Sequence, residues 1–422
     1  VGGQNMSSLA LNRNTSGAVL SPYHPGNIVR YRNLQDQMDK QKSAQNNRYV
    51  VVQDIADLEN DWRRIETELH VSVHQSFSWV RAWIRNKKVN PLFIVGFVGG
   101  KVEFILPLEI SKTFGVTTAR LIGTEHSNLN FALCSTLFLS TCGQDFVSHL
   151  KNEVKSIAPF IDVIVLDRMR MQVKDKRNPF EHILTTKNQN ASFQLPLLND
   201  FDETLAQLNR KRRRKKFRNT EKRINAIGGY TYTIANSLAE NEKILTEFFR
   251  QKNKRLKSQG LPNVFEDEEL MSFFSEVCAL DNDEIGSMEL HAIILKGDQY
   301  NGKILAISAI TPKRDHAICQ FSSFNEEIND ELDCSPGEFL FYLAIQNFNQ
   351  REFRKFDFGI GDQPYKRSWC TECDEHFDGT MTFTLFGRMF ARAYMGKTDL
   401  KRYIKSSDRL HKIAARIRSL KA

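Results

Sequence analysis

Residues 335–369 read SPGEFLFYLAIQNFNQREFRKFDFGIGDQPYKRSW, from Ser335 to Trp369. The stretch opens with a helix start. Ser335 suits the N-cap, Pro336 the first helical position and Glu338 the capping-box return. FLFYLAIQNF is apolar nearly all round, so the helix is expected to be buried. KFDFGI then reads as a strand, and GDQPYKRSW as a short polar and aromatic loop directly after it. Functional side chains tend to sit on loops held by rigid strands, which makes Gly361–Trp369 the leading site candidate.

Working outward, three strands precede the helix: MELHAIIL, ILAISAI and HAICQFSS. Before them come two amphipathic helices, Asn241 to Leu256 and Glu266 to Leu280, with apolar residues at helical spacing. Earlier still lie the alternating strand GYTYTIA and a long basic helix, Thr204 to Ala226, stopped by Gly228–Gly229. The strand TMTFTLF follows the loop. The first half is a weaker version of the same order: strand RYVVV, helices over Asp54–Leu69 and Gln75–Asn86, and a hairpin of LFIVGFV and VEFILPL turning at Gly99–Gly100. A helix near Asp145–Ile157 then precedes the buried strand DVIVL. The expectation is an α/β chain, α+β in its mixed sheets, built by tandem duplication. Its parts are a polar tail over 1–47, a first domain over 48–195, a second over 196–395, and a basic amphipathic helix over 396–422.

Composition bounds the class. The 422 residues are 41% hydrophobic and 26% charged, which is the globular range. No apolar run reaches the length of a membrane span, and the start lacks a signal-peptide pattern, so a cytoplasmic protein is expected. Seven scattered cysteines fit reduced thiols, and the Cys370–Cys373 pair has no second pair to complete a metal site. No metal is expected. The net charge of +9 is local. Residues 209–223 hold ten Lys or Arg and one acid, and residues 397–422 hold nine and two. Such blocks suit a polyanion: cofactor phosphate, nucleic acid or an acidic membrane surface.

The motif order in the opening stretch resembles the C-terminal signature of the CelD-like (BcsL-like) acetyltransferases, with their GNAT fold. There a Ser-Pro-Gly helix start leads to an Asp-Phe strand and a Gly-Asp-x-x-Tyr-Lys-x-x-Trp loop, matched here by Ser335, Pro336, Gly337, Asp357, Phe358, Gly361, Asp362, Tyr365, Lys366 and Trp369. The basic helix resembles the family's opening helix. The first half is similar only as a degenerate GNAT-like half, as in tandem FemAB-type transferases. The resemblance implies transfer of an acyl group from acetyl-CoA or another acyl-CoA to an amine or hydroxyl, on a sugar or envelope precursor. Asp362, Tyr365 and Lys366 are then the catalytic candidates: Asp362 as base, Tyr365 as proton donor to the thiolate, Lys366 beside phosphate or Asp362. Ser335 and Gly337, with Arg212, Arg214 and Lys216, are expected to hold the donor's phosphates. Trp369 and Asp357 are the substrate-side candidates, Trp369 by stacking and Asp357 as an anchor for Lys366 or Tyr365.

The helix start departs from a usual phosphate cradle. It has one glycine and no base, Pro336 removes a donor, and Glu331 and Asp333 lie just before it. This departure opens a FemAB-like alternative with aminoacyl-tRNA as donor, whose phosphates the basic helix suits. A third reading is a non-catalytic basic binding protein, with peripheral membrane contact through the C-terminal helix. In the first half, Trp79, Trp83, Gly123, His126, Asn128 and Asn130 form a weaker candidate cleft. His316 is expected at the surface.

Overall fold

The computed structural model describes residues 48–406, apart from Leu69, Lys174, Pro262 and Val264. The polar tail 1–47, and the part of the expected basic helix beyond Ser406, lie outside the described residues. The rest is α/β with two large mixed sheets.

The first sheet runs Arg48–Val52, Asn90–Val98, Lys101–Thr113, Val116–Leu121, Val163–Met169, Phe377–Thr382 and Thr186–Lys187, with Leu133–Cys134 paired to its third strand. The expected hairpin is present, and Gly99 and Gly100 turn it at positive φ. The second sheet runs Tyr230–Ile234, Glu289–Leu295, Ile304–Lys313, His316–Phe324, Lys355–Ile360, Ser192–Pro196 and Glu372–Asp374. Each sheet buries an apolar layer against helices.

The compact units differ from a single cut at residue 195. Among the described residues, one comprises those up to Asn188 together with His376–Leu400, and the other comprises Gln189–Glu375 together with residues 401–406. Two strands account for the difference. Ser192–Pro196 pairs with Lys355–Ile360 in the second sheet, and Phe377–Thr382 pairs with Val163–Met169 in the first. Local pattern marks both as strands, but sheet membership is set by long-range pairing that periodicity does not carry.

Other local differences have local causes. The long basic helix is two helices, Phe201–Ala206 and Arg210–Ala226, because the Asn209 side chain caps the second by accepting from Arg212 N–H. The Gly361–Trp369 loop winds into a short helix, Pro364–Trp369, with proline in its first turn. A helix unforeseen in the sequence, Glu326–Leu332, is capped by Asn325. The C-terminal helix begins at Leu385, eleven residues before its expected start, and runs to Ser406. Ser335 stands at the cap position of Pro336–Gln350 without a side-chain capping bond, so the expected capping box does not form.

Both sheets share one irregularity. In each, two neighbouring parallel strands pair over three residues and then part. In the second sheet the pairs are His316/Lys355, Ala317/Phe356 and Ile318/Asp357. In the first they are Thr118/Val163, Ala119/Ile164 and Arg120/Val165.

The turn after the basic helix is a steric keystone of the second unit. Gly228 and Gly297 both have positive φ, and a Cβ on Gly297 would stand 2.1 Å from the Ile227 carbonyl oxygen. Gly297→Ala should therefore cost about 2–4 kcal/mol through clash and strain. Denaturant unfolding of the full chain tests this, and an unchanged midpoint would contradict it.

Candidate active site

The site is built where the second sheet's strands part. Beyond Ile318 and Asp357, Cys319–Phe324 and Phe358–Ile360 no longer pair with each other, while each keeps its neighbour on the far side. Buried carbonyls need donors. Lys366 supplies them. Its Nζ donates to the carbonyl oxygens of Ile360 (2.6 Å) and Gly359 (3.3 Å). The next residue back, Tyr365, reaches the opposite strand and hydrogen-bonds Ser322. Two adjacent side chains of one short helix thus reach both lips of the opening. Asp357, at the last paired position, accepts from Gln194 Nε2 and Gly359 N–H, each at 2.7 Å. Its other neighbour is His316, whose Nε2 stands 3.4 Å from Oδ2. His316 is thus half-buried against a carboxylate, not the surface residue the sequence suggested.

The electrostatics follow from burial. Lys366 is buried, and desolvation brings its pKa down to about 8 against the opposing pull of Cys319 and Asp357. Burial pushes the Tyr365 phenol well up, so it is a neutral proton carrier. Its ring stacks on Phe341, with centroids 5.7 Å apart. Asp362 is bound through both oxygens to Arg367, which holds its carboxyl below the usual range. The sequence suggested Lys366 for that partner. A carboxylate so held is a weak base.

Trp369 is 1% exposed, in the apolar core, with the Arg213 guanidinium 3.9 Å above its ring. It is a packing residue and presents no open face for stacking. Asp357 is likewise enclosed by its own sheet.

The basic helix does pack beside the start of Pro336–Gln350. Phe217 stacks on Phe339 and Tyr342, with centroids 4.8 and 4.2 Å apart. The cations it brings are already engaged. Arg213 and Lys216 both bind Glu338, at 2.5 and 3.1 Å. Arg213 also donates to Ser368 Oγ at 2.8 Å, and Arg214 pairs with Asp202. Glu338, in the first turn, therefore brings its own negative charge to the positive end of this helix. Gly337 has space around it: the nearest atom to an added Cβ would be Phe324 Cδ1 at 3.8 Å. Glu331 is bonded by Tyr300 and Asp333 by Arg223. Lys211, Arg212, Lys215 and Arg218 are exposed along one face.

One residue of the site escaped the sequence reading. Lys252, on helix Leu238–Ser258, is 1% exposed and lies 5.7 Å from the Phe265 ring centroid. Burial, then Arg255, lowers its pKa to about 7, with Lys366 adding to the effect. A signal existed: Leu245, Phe248, Lys252 and Leu256 continue one apolar stripe.

The first unit's equivalent opening is closed by its own chain. Asn130 N–H donates to the Arg168 carbonyl, and its side-chain amide to Asp167 O (2.9 Å) and Thr124 Oγ1 (2.8 Å). Arg168 in turn donates to the carbonyls of Thr124 and Ser127, both at 2.7 Å. Gln75 bonds Asn130 and Phe131, and Asn128 N–H donates to His74. Trp79 and Trp83 are core. Gly123, at positive φ, lies against the Trp83 ring, and His126 packs on the same ring. The cleft suggested for these residues is a filled one. Cys370 and Cys373 are free thiols, and among the described residues no cluster suited to a metal ion occurs.

Residues 211–367 match the family described as acetyltransferase (GNAT) domain. The match runs from the basic helix through the parting strands to Tyr365 and Lys366. This stretch of the second unit is thus similar to a GNAT acetyltransferase domain, which supports an acyltransferase. Among solved structures, FemX superposes with a TM-score of 0.57 at 13% identity, covering 80% of this chain and 98% of FemX. That likeness gives the tandem fold. A conserved protein of unknown function from Bacteroides thetaiotaomicron (TM-score 0.48, 12% identity, 78% of this chain and 98% of that one) is also similar. So is a tandem GNAT protein from the clavulanic acid biosynthesis pathway (0.44, 9%, 80% and 98%). No curated protein matches the chain.

A buried lysine has a measurable signature. The folded pKa of Lys252, about 7, lies below the unfolded value of about 10.4. Between them the unfolded chain holds more protons, so this group makes stability rise with pH across that window. Lys252→Met should therefore be more stable than wild type by about 2–4 kcal/mol at acid pH, with the gap closing towards pH ~10. Denaturant unfolding across pH checks it, and a gap independent of pH would contradict the assignment.

Proposed function

We propose that the second unit transfers an acyl group from an acyl-CoA thioester to an amine or hydroxyl at the opening between Cys319–Phe324 and Phe358–Ile360. The observation that carries this reading is the pair Tyr365 and Lys366, one on each lip of the parted strands. The acceptor's lone pair attacks the thioester carbonyl, the C–S bond breaks, and the acceptor's proton passes to water. The Lys366 Nζ faces the developing oxyanion, where a buried cation is most effective. Tyr365, kept neutral by burial, gives its proton to the leaving thiolate. Asp362 is not the base in this scheme, because Arg367 holds it as its anion. Ser335 and Gly337 lie at the helix start that would face the donor's phosphates, with Arg212, Arg214 and Lys216 on the adjoining helix. The CelD-like motif order supports a sugar or amine-bearing envelope precursor as acceptor, and a cytoplasmic setting.

One observation favours a second donor. Glu338 already engages Arg213 and Lys216 at the helix start, while Lys211, Arg212, Lys215 and Arg218 face solvent. That arrangement suits the repeated phosphates of aminoacyl-tRNA better than one pyrophosphate. The chemistry at the carbonyl is the same, with a ribose hydroxyl leaving in place of the thiolate.

Transfer is read by release of free CoA thiol, with acetyl-CoA and a panel of amino sugars. Tyr365→Phe and Lys366→Met should each lower turnover by about a hundredfold with folding retained. Wild-type turnover in both variants would remove the site. If the wild type releases no thiol, binding to aminoacyl-tRNA across salt becomes the test. Replacing Arg212 and Lys215 by Ala should then flatten the log–log slope by roughly 0.7 for each phosphate no longer neutralised. An unchanged slope would reject that donor.

A further inference from the structure

The first unit carries an apolar surface that the acyl-transfer reading does not use. Phe114 stands at the tip of the hairpin joining Lys101–Thr113 to Val116–Leu121, 91% exposed, with φ at +51°. A bulky residue gains nothing from such a place: the backbone is unfavourable and the ring is in water. On helix Leu385–Ser406, Leu385, Phe386, Met389 and Leu400 are exposed by more than half. With Ala393 and Gly396 they form one outward stripe. The opposite side holds the helix down. Ala391 is buried with Val116, Val163 and Val165, and a Cβ on Gly387 would stand 2.0 Å from the Asp162 carbonyl oxygen.

Hairpin and helix belong to one surface. The Asp162 carboxylate accepts from Thr117 N–H (2.8 Å), beside the hairpin tip, and from Thr384 Oγ1 (2.6 Å), beside the helix start. Cations frame the patch. Arg388, Arg392 and Lys397 flank the stripe against one acid, Asp399. Lys151 and Lys155 lie close enough to Arg388 that, after burial, their mutual repulsion lowers the pKa of Lys151.

We propose that this face, Phe114 with Leu385, Phe386 and Met389 inside a ring of Lys and Arg, lies on an anionic lipid surface. Charge decides the occupant. A second copy of the chain would bring the same cations together across a two-fold axis. Residues 407–422 carry five Lys or Arg and one acid, and meet the same repulsion. Anionic headgroups complement the cations while the acyl boundary takes the apolar side chains. Among the described residues no helix is long and apolar enough to cross a membrane, so the contact is interfacial. A transferase held this way meets acceptors that are themselves anchored in lipid. The inference does not depend on the acyl-transfer reading, since its readout is lipid binding.

The test is flotation of the full-length chain with vesicles of phosphatidylcholine alone, or of phosphatidylcholine and phosphatidylglycerol in equal parts. Recovery with the anionic vesicles should be about tenfold greater at low salt and should fall as salt rises. The double variant Phe114→Asn, Met389→Ser should lose most of it with circular dichroism unchanged, since asparagine tolerates positive φ. Arg388→Glu should act likewise. Equal recovery from both vesicles, or none from either, overturns the proposal. So does full recovery by the variants, which would move the contact to another segment. Self-association without lipid that the double variant abolishes would give the face to a second copy, and overturns it too.

Discussion

Two parallel strands that pair for three residues and then part create a problem that the rest of the second unit solves. Parting exposes backbone carbonyls inside the protein, where each lost hydrogen bond is costly. Lys366 answers with its ammonium on the Gly359 and Ile360 oxygens, and Asp357 takes the Gly359 N–H. The group that repairs the strand end is thereby a buried cation at the mouth of the opening. Structural need and chemical opportunity fall on one side chain. The same burial keeps Tyr365 neutral and pulls Lys366 and Lys252 towards neutrality.

The first unit meets the identical problem differently. There the opening is filled by the chain between Thr124 and Phe131: Asn130 donates to the carbonyls of Asp167 and Arg168, and the Arg168 side chain donates to those of Thr124 and Ser127. Asn128 and Asn130, which looked available in sequence, are bonded inside that plug. The two units share a topology but differ at the opening. One keeps its opening lined by ionisable groups, and the other seals it and carries an exposed apolar face.

Much of this was legible in the residues. The order of strands and helices and the buried helix after Ser335 follow from periodicity and turn chemistry. Sheet membership was not legible, because Ser192–Pro196 and Phe377–Thr382 look like strands of any sheet. Individual roles were also beyond reach where two partners of the right charge competed. Asp362 chose Arg367 over Lys366, and Glu338 took Arg213 and Lys216 in place of the capping bond. Trp369 illustrates a different limit: an aromatic in a polar loop reads as exposed until the loop is seen to coil inward. The basic block at 209–223 was correctly local, yet only its outward residues remain uncommitted to a partner of their own helix pair.

Hydrogen exchange of the full chain, with and without acetyl-CoA or aminoacyl-tRNA, tests the central claim most directly. The account predicts that the donor protects amides of Cys319–Phe324 and of Phe358–Ile360, on the two lips of the second opening, and leaves residues 118–131 of the first unit unchanged. Protection confined to residues 118–131, or absent from both lips with either donor, would contradict it.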